Sequence, residues 1–174
     1  AVDLYALEGI RLIGANLERA VAQGDDLSAR EAMMRASLYG GLCLGPVNTA
    51  AVHALAYPLG GEFEVPHGVS NAVLLPYVLE FNLPAMPERY AEVAVALGAP
   101  RLADPLATAR AGIERIRQLT RSCGLPATLS ELGVPESAIP RMVESAMTVT
   151  RLLKNNPREI TPMDAEQIYR SAMG

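Results

Sequence analysis

Leu4, Leu7, Ile10, Ile13, Leu17 and Val21 recur at steps of three and four residues, the spacing at which side chains line one face of an α-helix. The spacing predicts an amphipathic helix from about residue 3 to 22, ended by Gly24. No segment shows the competing pattern, β-branched and polar residues alternating with period two, and strands do not alternate with helices. A parallel nucleotide-binding sheet is therefore not encoded here. The expected fold class is all-α, a multi-helix bundle. At 174 residues the chain is long enough to bury about 70% of the surface its unfolded form exposes, and residues 1–174 read as a single helical domain.

Punctuation divides the rest. Ser28 followed by Glu31 has capping-box spacing and predicts a second helix running towards Gly40 and Gly41. Asn48 is placed to cap a third, through Ala50 to Tyr57, with Pro58 and the Gly60-Gly61 pair stopping it. Gly61 to His67 reads as an extended connection, and a fourth helix is expected from Gly68 to Phe81, bent at Pro76. Downstream, Pro87 to Gly98 and Asp104-Pro105 to Gly124 carry start and stop residues at both ends. Short helices are expected near 129–132 and 139–152, and Thr161, Pro162 and Asp164 open a last one containing Ile168 and Tyr169.

Composition removes whole classes of function. Net charge is −4, with 15 basic residues and no basic stripe, which argues against nucleic acid as a partner. The longest apolar stretch, Ala72 to Leu79, contains Pro76 and falls far short of the roughly 20 residues that span a bilayer, so no membrane is expected. Cys43 and Cys123 are too few for a metal cluster or a disulfide framework, and no signal-peptide pattern opens the chain, which points to a cytoplasmic location. The run from Gly40 to Gly45 lacks the lysine and hydroxyl residue of a phosphate loop, so close helix packing is its expected role and Cys43 is expected to be a buried small apolar residue. The chain starts at Ala1 inside a helical pattern without a methionine, and is expected to be a piece of something longer.

The two histidines, His53 and His67, flank the densest group of turn residues: Pro58, Gly60, Gly61, Pro66 and Gly68. A reversal between them, with His53 one turn before a helix end and His67 at the start of the next, brings two imidazoles towards one cleft. Neutral imidazoles suit a transition metal such as Fe²⁺ or Zn²⁺. Tyr57, four residues after His53, lies on the same helix face with a hydroxyl able to donate or accept there. Two ligands do not make a site, since three or four are needed. Glu62 and Glu64 are local acids that could complete it, although glutamates in a short loop are usually just solvated. Histidines 14 residues apart are also commonly unconnected.

The run Ala51-Val52-His53-Ala54-Leu55-Ala56-Tyr57-Pro58-Leu59-Gly60, followed by Val65-Pro66-His67-Gly68-Val69-Ser70-Asn71-Ala72 and Leu75-Pro76, resembles the signature of the iron-containing alcohol dehydrogenase family. Weaker likeness extends from Asp3-Leu4-Tyr5-Ala6-Leu7-Glu8 through Ala29-Arg30-Glu31-Ala32-Met33 to Asn156-Pro157-Arg158 and Ile168-Tyr169. The resemblance implies the C-terminal, all-helical metal-binding domain of such enzymes, with a dehydroquinate synthase-like fold and a dinucleotide-binding α/β domain preceding Ala1. It implies His53 and His67 as metal ligands, with an aspartate and another histidine supplied from the preceding segment. It further implies NAD(P), Fe²⁺ or Zn²⁺, a small alcohol or aldehyde substrate and a homo-oligomer. The metal would act as a Lewis acid so that hydride passes between substrate carbon and nicotinamide. Many members carry histidine where this chain has Tyr57, and a phenol suits hydrogen bonding in the pocket rather than the proton shuttling of an imidazole. Zinc-dependent relatives such as glycerol dehydrogenase share the architecture, though the Pro66-His67-Gly68 context favours the alcohol dehydrogenase branch. A helical interaction domain with two incidental histidines is the non-enzyme alternative.

Overall fold

A computed structural model describes residues 1–174. In chain order the α-helices are α1 (Val2–Ala22), α2 (Leu27–Val47), α3 (Ala51–Phe63), α4 (His67–Asn82), α5 (Pro87–Ala96), α6 (Pro105–Ser122), α7 (Ile139–Met147), α8 (Thr150–Leu153) and α9 (Pro162–Ala172), with single 3-10 turns at Leu83–Ala85 and Glu136–Ala138 and no strand. The helices gather into two compact units, one of residues 1–48 and 86–123, the other of 49–85 and 124–174.

The first unit contains α1, α2, α5 and α6. Helix α1 covers the predicted residues, but of its apolar stripe Leu4 and Val21 are exposed, and the residues it buries are Gly9 and Leu12. Helix α2 starts two residues earlier than its sequence suggests, because the N-cap is Asp26, whose carboxylate accepts from the Ala29 amide at 2.9 Å, rather than Ser28. It also runs through Gly40, Gly41 and Gly45 to Val47. A Cβ at any of these three glycines would meet nothing within 4 Å, so the expected close packing at that run is not found, and Cys43 is half-buried with its Sγ 3.6 Å from the Val2 carbonyl. Close packing occurs elsewhere. A Cβ on Gly14 of α1 would lie 2.3 Å from the Leu97 carbonyl oxygen, and one on Gly112 of α6 would lie 2.4 Å from the Ala94 Cβ of α5. Helix α6 has the predicted cap: Asp104 accepts from the Leu106 and Ala107 amides, with Pro105 as first helical residue.

The second unit is built on a core of Leu55, Leu59, Leu74, Leu129, Ile139, Met142 and Tyr169, all essentially without solvent exposure. Helix α3 does not stop at Tyr57. It continues through Pro58, Gly60 and Gly61 to Phe63. An interior proline costs about 3 kcal/mol and each glycine about 1. Against this, α3 buries Leu55, Leu59 and Pro58 together with Ala51, Ala54 and Ala56, and each buried leucine alone returns roughly 1.5–3 kcal/mol. Burial overrides punctuation. The helix ends instead at Glu64, held in the left-handed region at φ 55, with the Glu64 amide and, at 3.2 Å, the Val65 amide both donating back to the Leu59 carbonyl, so that glutamate takes the left-handed place glycine usually fills. Val65 is buried, and the extended connection shrinks to Glu64, Val65 and Pro66. Residues 129–132 form turns rather than a helix. The predicted helix over 139–152 is two, broken where the Thr148 hydroxyl donates to the Ser145 carbonyl at 2.7 Å, a local bond that competes with helix continuation. Helix α9 carries the full Thr161/Asp164 capping box.

Candidate metal centre

Helix α3 presents His53 near its start, not near its end as the shorter helix implied, and α4 opens with His67 itself. The three-residue connection turns the chain so that the two imidazole centroids lie 5.1 Å apart with ring planes at 52°. Metal–nitrogen bonds of about 2.0–2.1 Å meeting at a tetrahedral angle put two ligating imidazoles roughly 5 Å apart, centre to centre. The observed separation is of that size. The rings are therefore spaced as two nitrogen donors to one ion would be, and the donor chemistry fits Fe²⁺ or Zn²⁺.

Electrostatics favours the ligating form of one ring. His53 is half-buried, and burial first, then the neighbouring His67, push its pKa below the ordinary imidazole value. Its lone pair is accordingly available over a wider pH range than that of a free imidazole. His67, by contrast, is exposed.

No group of three or more His, Cys, Asp and Glu side chains is placed to hold a metal. Both local acids are committed elsewhere or turned away from that purpose. Arg141 Nε donates to Glu62 Oε2 at 2.6 Å, with the guanidinium also 5.7 Å from the Phe63 ring centre, and Glu64 is the exposed left-handed cap of α3. Tyr57 lies one turn after His53 on α3, 45% exposed. These residues thus supply two donors and a neighbouring phenol, and the chain offers no further ligand beside them.

Two contributors, Asn71 and Tyr169, stand within the family-like runs without a role that the sequence assigns. Tyr169 of α9 is fully buried and its hydroxyl donates to the Leu55 carbonyl at 2.7 Å, two residues from His53; burial pushes its pKa upward. Asn71, four residues after His67 and so on the same face of α4, donates from Nδ2 to the His67 carbonyl at 2.8 Å and lies 3.4 and 3.3 Å from the two ring nitrogens. The i, i+4 rule could have found Asn71. Nothing local in the sequence announces Tyr169, whose partner is 114 positions away.

Comparison with known proteins gives a consistent picture. The profile of the Fe-containing alcohol dehydrogenase family, C-terminal, matches residues 1–173. The chain is 42% identical over 173 residues to 1,3-propanediol dehydrogenase of Citrobacter freundii, covering 98% of this chain and 44% of that protein. It is 34% identical over 173 residues to NAD-dependent methanol dehydrogenase of Bacillus methanolicus, covering 98% of this chain and 45% of the relative. Among solved structures, a 1,3-propanediol oxidoreductase superposes with a TM-score of 0.95 at 40% identity, over 99% of this chain and 45% of that one. The chain thus spans less than half the length of the curated relatives it matches.

Proposed function

The chain belongs to the Fe-containing alcohol dehydrogenase family, and from that premise we propose that it is the metal-holding helical part of an NAD(P)-dependent alcohol dehydrogenase or aldehyde reductase. The observation that carries this reading is the pair of imidazoles 5.1 Å apart, contributed by two helices that a three-residue connection fixes next to each other. When bound, Fe²⁺ or Zn²⁺ would supply Lewis-acid polarisation of a substrate oxygen.

The residues of this chain have three tasks in that reading. His53 and His67 hold the ion through neutral nitrogens. Tyr57, exposed one turn from His53, offers a hydroxyl to the substrate side, orienting it or a water by hydrogen bonding. The interlocked core beneath α3 keeps these groups in place. Two neutral donors leave a divalent charge uncompensated, so we assign an aspartate and a third histidine, together with the nicotinamide cofactor's main binding surface, to the part of the protein that this chain does not include. The half-length match to the relatives supports that assignment. Assembly as a homo-oligomer belongs to the same proposal, supported by the large apolar side chains left exposed on α2. So does a cytoplasmic location, supported by Cys43 and Cys123 being free thiols. No helix is long and apolar enough to cross a membrane.

The test uses the full-length protein. Metal analysis after purification should find a transition metal, and a panel of small alcohols and aldehydes followed by NAD(P)H absorbance should show turnover that chelators remove. Turnover insensitive to chelation would remove the metal role, and no turnover with any alcohol or aldehyde in the panel would return the chain to the helical interaction-domain alternative.

A further inference from the structure

We propose that Asn71 is a positioning residue for His67, holding its imidazole towards His53 so that the pair is set for a metal ion before the ion arrives. Asn71 Nδ2 donates to the His67 carbonyl at 2.8 Å, which anchors the amide to the first turn of α4. The same nitrogen stands 3.4 Å from His67 Nδ1 and 3.3 Å from Nε2. A position in the ring plane equidistant from both nitrogens would collide with the Cε1–H between them, so the amide lies over the ring face. It braces the imidazole without consuming either lone pair. A ring that is otherwise exposed thereby loses rotational freedom, and less ordering remains to be imposed when a ligand binds.

The other end of the amide contributes nothing to the stability of this chain. Asn71 Oδ1 is buried and meets no donor of this chain. Turning the amide over would set Oδ1 against the His67 carbonyl oxygen, acceptor to acceptor, so the orphan cannot be relieved by a flip. A buried acceptor without a donor is destabilising, and an apolar residue of similar shape would remove the penalty. The structure keeps an asparagine where the fold alone would favour a leucine, and what the asparagine touches is His67. This inference rests on the metal reading of the histidines.

The test uses the full-length, metal-free protein and its Asn71→Ala, Asn71→Leu and His67→Ala variants. Zn²⁺ affinity is measured by chelator competition, thermal stability without metal is measured in parallel, and visible spectra are recorded after Co²⁺ loading. Asn71→Ala and Asn71→Leu should each weaken Zn²⁺ binding by about ten- to a hundredfold and shift the Co²⁺ bands, while metal-free stability stays level in the first and level or higher in the second. Leucine matters because it keeps the bulk and removes only the amide. Wild-type Zn²⁺ affinity in either variant, unchanged Co²⁺ bands, or a fall in metal-free stability in both variants would overturn the proposal. Wild-type Zn²⁺ affinity in His67→Ala would instead remove the metal reading itself, and this inference with it.

Discussion

In the unit of residues 49–85 and 124–174, Leu55, Leu59, Leu74, Met142 and Tyr169 interlock in one core that excludes solvent. The unit of residues 1–48 and 86–123 has a smaller buried cluster of Leu12, Ala32 and Ala36, with Ile13 and Tyr39 against them, and buries Leu97, Ile113 and Leu119 besides. Its helices are joined as well by backbone approach at Gly14 and Gly112. It also leaves Leu4, Val21, Leu27, Met34, Leu38 and Leu44 largely exposed, Leu27 at 77%. The difference matters for where chemistry can reside. Two imidazoles must be held to within a fraction of an ångström to share an ion, and that demands neighbours whose own rotamers are locked. His53 and His67 lie in the interlocked unit.

The strongest way to separate the two units is to remove the donors. In the full-length protein, His53→Ala or His67→Ala should each lower metal affinity by at least about a hundredfold, more than loss of an outer-shell partner, and should abolish turnover. Tyr57→Phe should retain the metal and alter turnover or alcohol preference within about tenfold, since it deletes a hydroxyl and no ligand. Metal content and NAD(P)H-linked rates measure both. Wild-type metal content in both histidine variants would leave the interlocked unit without a special role.

Next in size is an attack on the glycine contacts. Gly112→Ala places a methyl 2.4 Å from the Ala94 Cβ, and overpacking of that kind typically costs about 1–3 kcal/mol. A fall in the thermal midpoint with undiminished metal content is expected. A variant as stable as the parent would mean that α5 and α6 can move apart freely. The same substitution at Gly40 or Gly41, which face open space, should be neutral or slightly stabilising, because alanine is the better helix former.

Tyr169→Phe probes the interlocked unit more gently. It deletes the hydrogen bond to the Leu55 carbonyl and keeps the ring, for a loss of about 1 kcal/mol. Chemical denaturation measures the cost. A loss of metal affinity much larger than this stability change would show that Tyr169 also sets the position of α3.

Legibility from sequence followed the reach of the forces involved. Helices α1, α5, α6 and α9 were readable because their signals are local: a three- and four-residue apolar period, Pro at the first turn, and Asp104 or Thr161 within three residues of the amides they cap. The far end of α3 was not readable. Pro58 and Gly60-Gly61 are stop signals by local rules, and only the burial of Leu55 and Leu59 by distant residues makes the helix continue. The run Gly40 to Gly45 misled in the opposite sense, since glycines invite close packing that another helix must be present to provide. The histidine pair was legible as a juxtaposition because a chain reversal rich in Pro and Gly lies between the two rings. The brace from Asn71 lies within reach of the i, i+4 rule once His67 is singled out, whereas the anchor from Tyr169 depends on a partner 114 positions away and no spacing rule points to it.

The smallest expected effect distinguishes the units by how their helix starts respond to acid and salt. Asp26, which caps α2 in the first unit, has its pKa lowered mainly by the Ala29 amide and next by the Arg19 guanidinium, whose Nη2 is 2.6 Å away. Asp164, at the start of α9 in the second unit, is lowered mainly by the Thr161 hydroxyl at 2.6 Å and then by the Thr161 amide. Both carboxyls titrate lower in the folded than in the unfolded chain. The stability they lend is therefore fully present above the ordinary aspartate value of about 3.9, and it is lost as pH falls through that value towards the folded one. Thermal midpoints between pH 7 and 3 should show an acid limb that Asp26→Asn and Asp164→Asn each flatten slightly. Salt then separates them. At 1 M ionic strength the Debye length is about 3 Å, so the Arg19 contribution to Asp26 shrinks, whereas hydrogen bonds from a neutral hydroxyl and an amide to Asp164 persist. The effect of Asp26→Asn should diminish in high salt more than that of Asp164→Asn, to which the Arg158 charge adds only the smallest contribution. Equal salt responses would show that the ion pair adds nothing to the cap of α2, leaving the Ala29 amide as its whole basis.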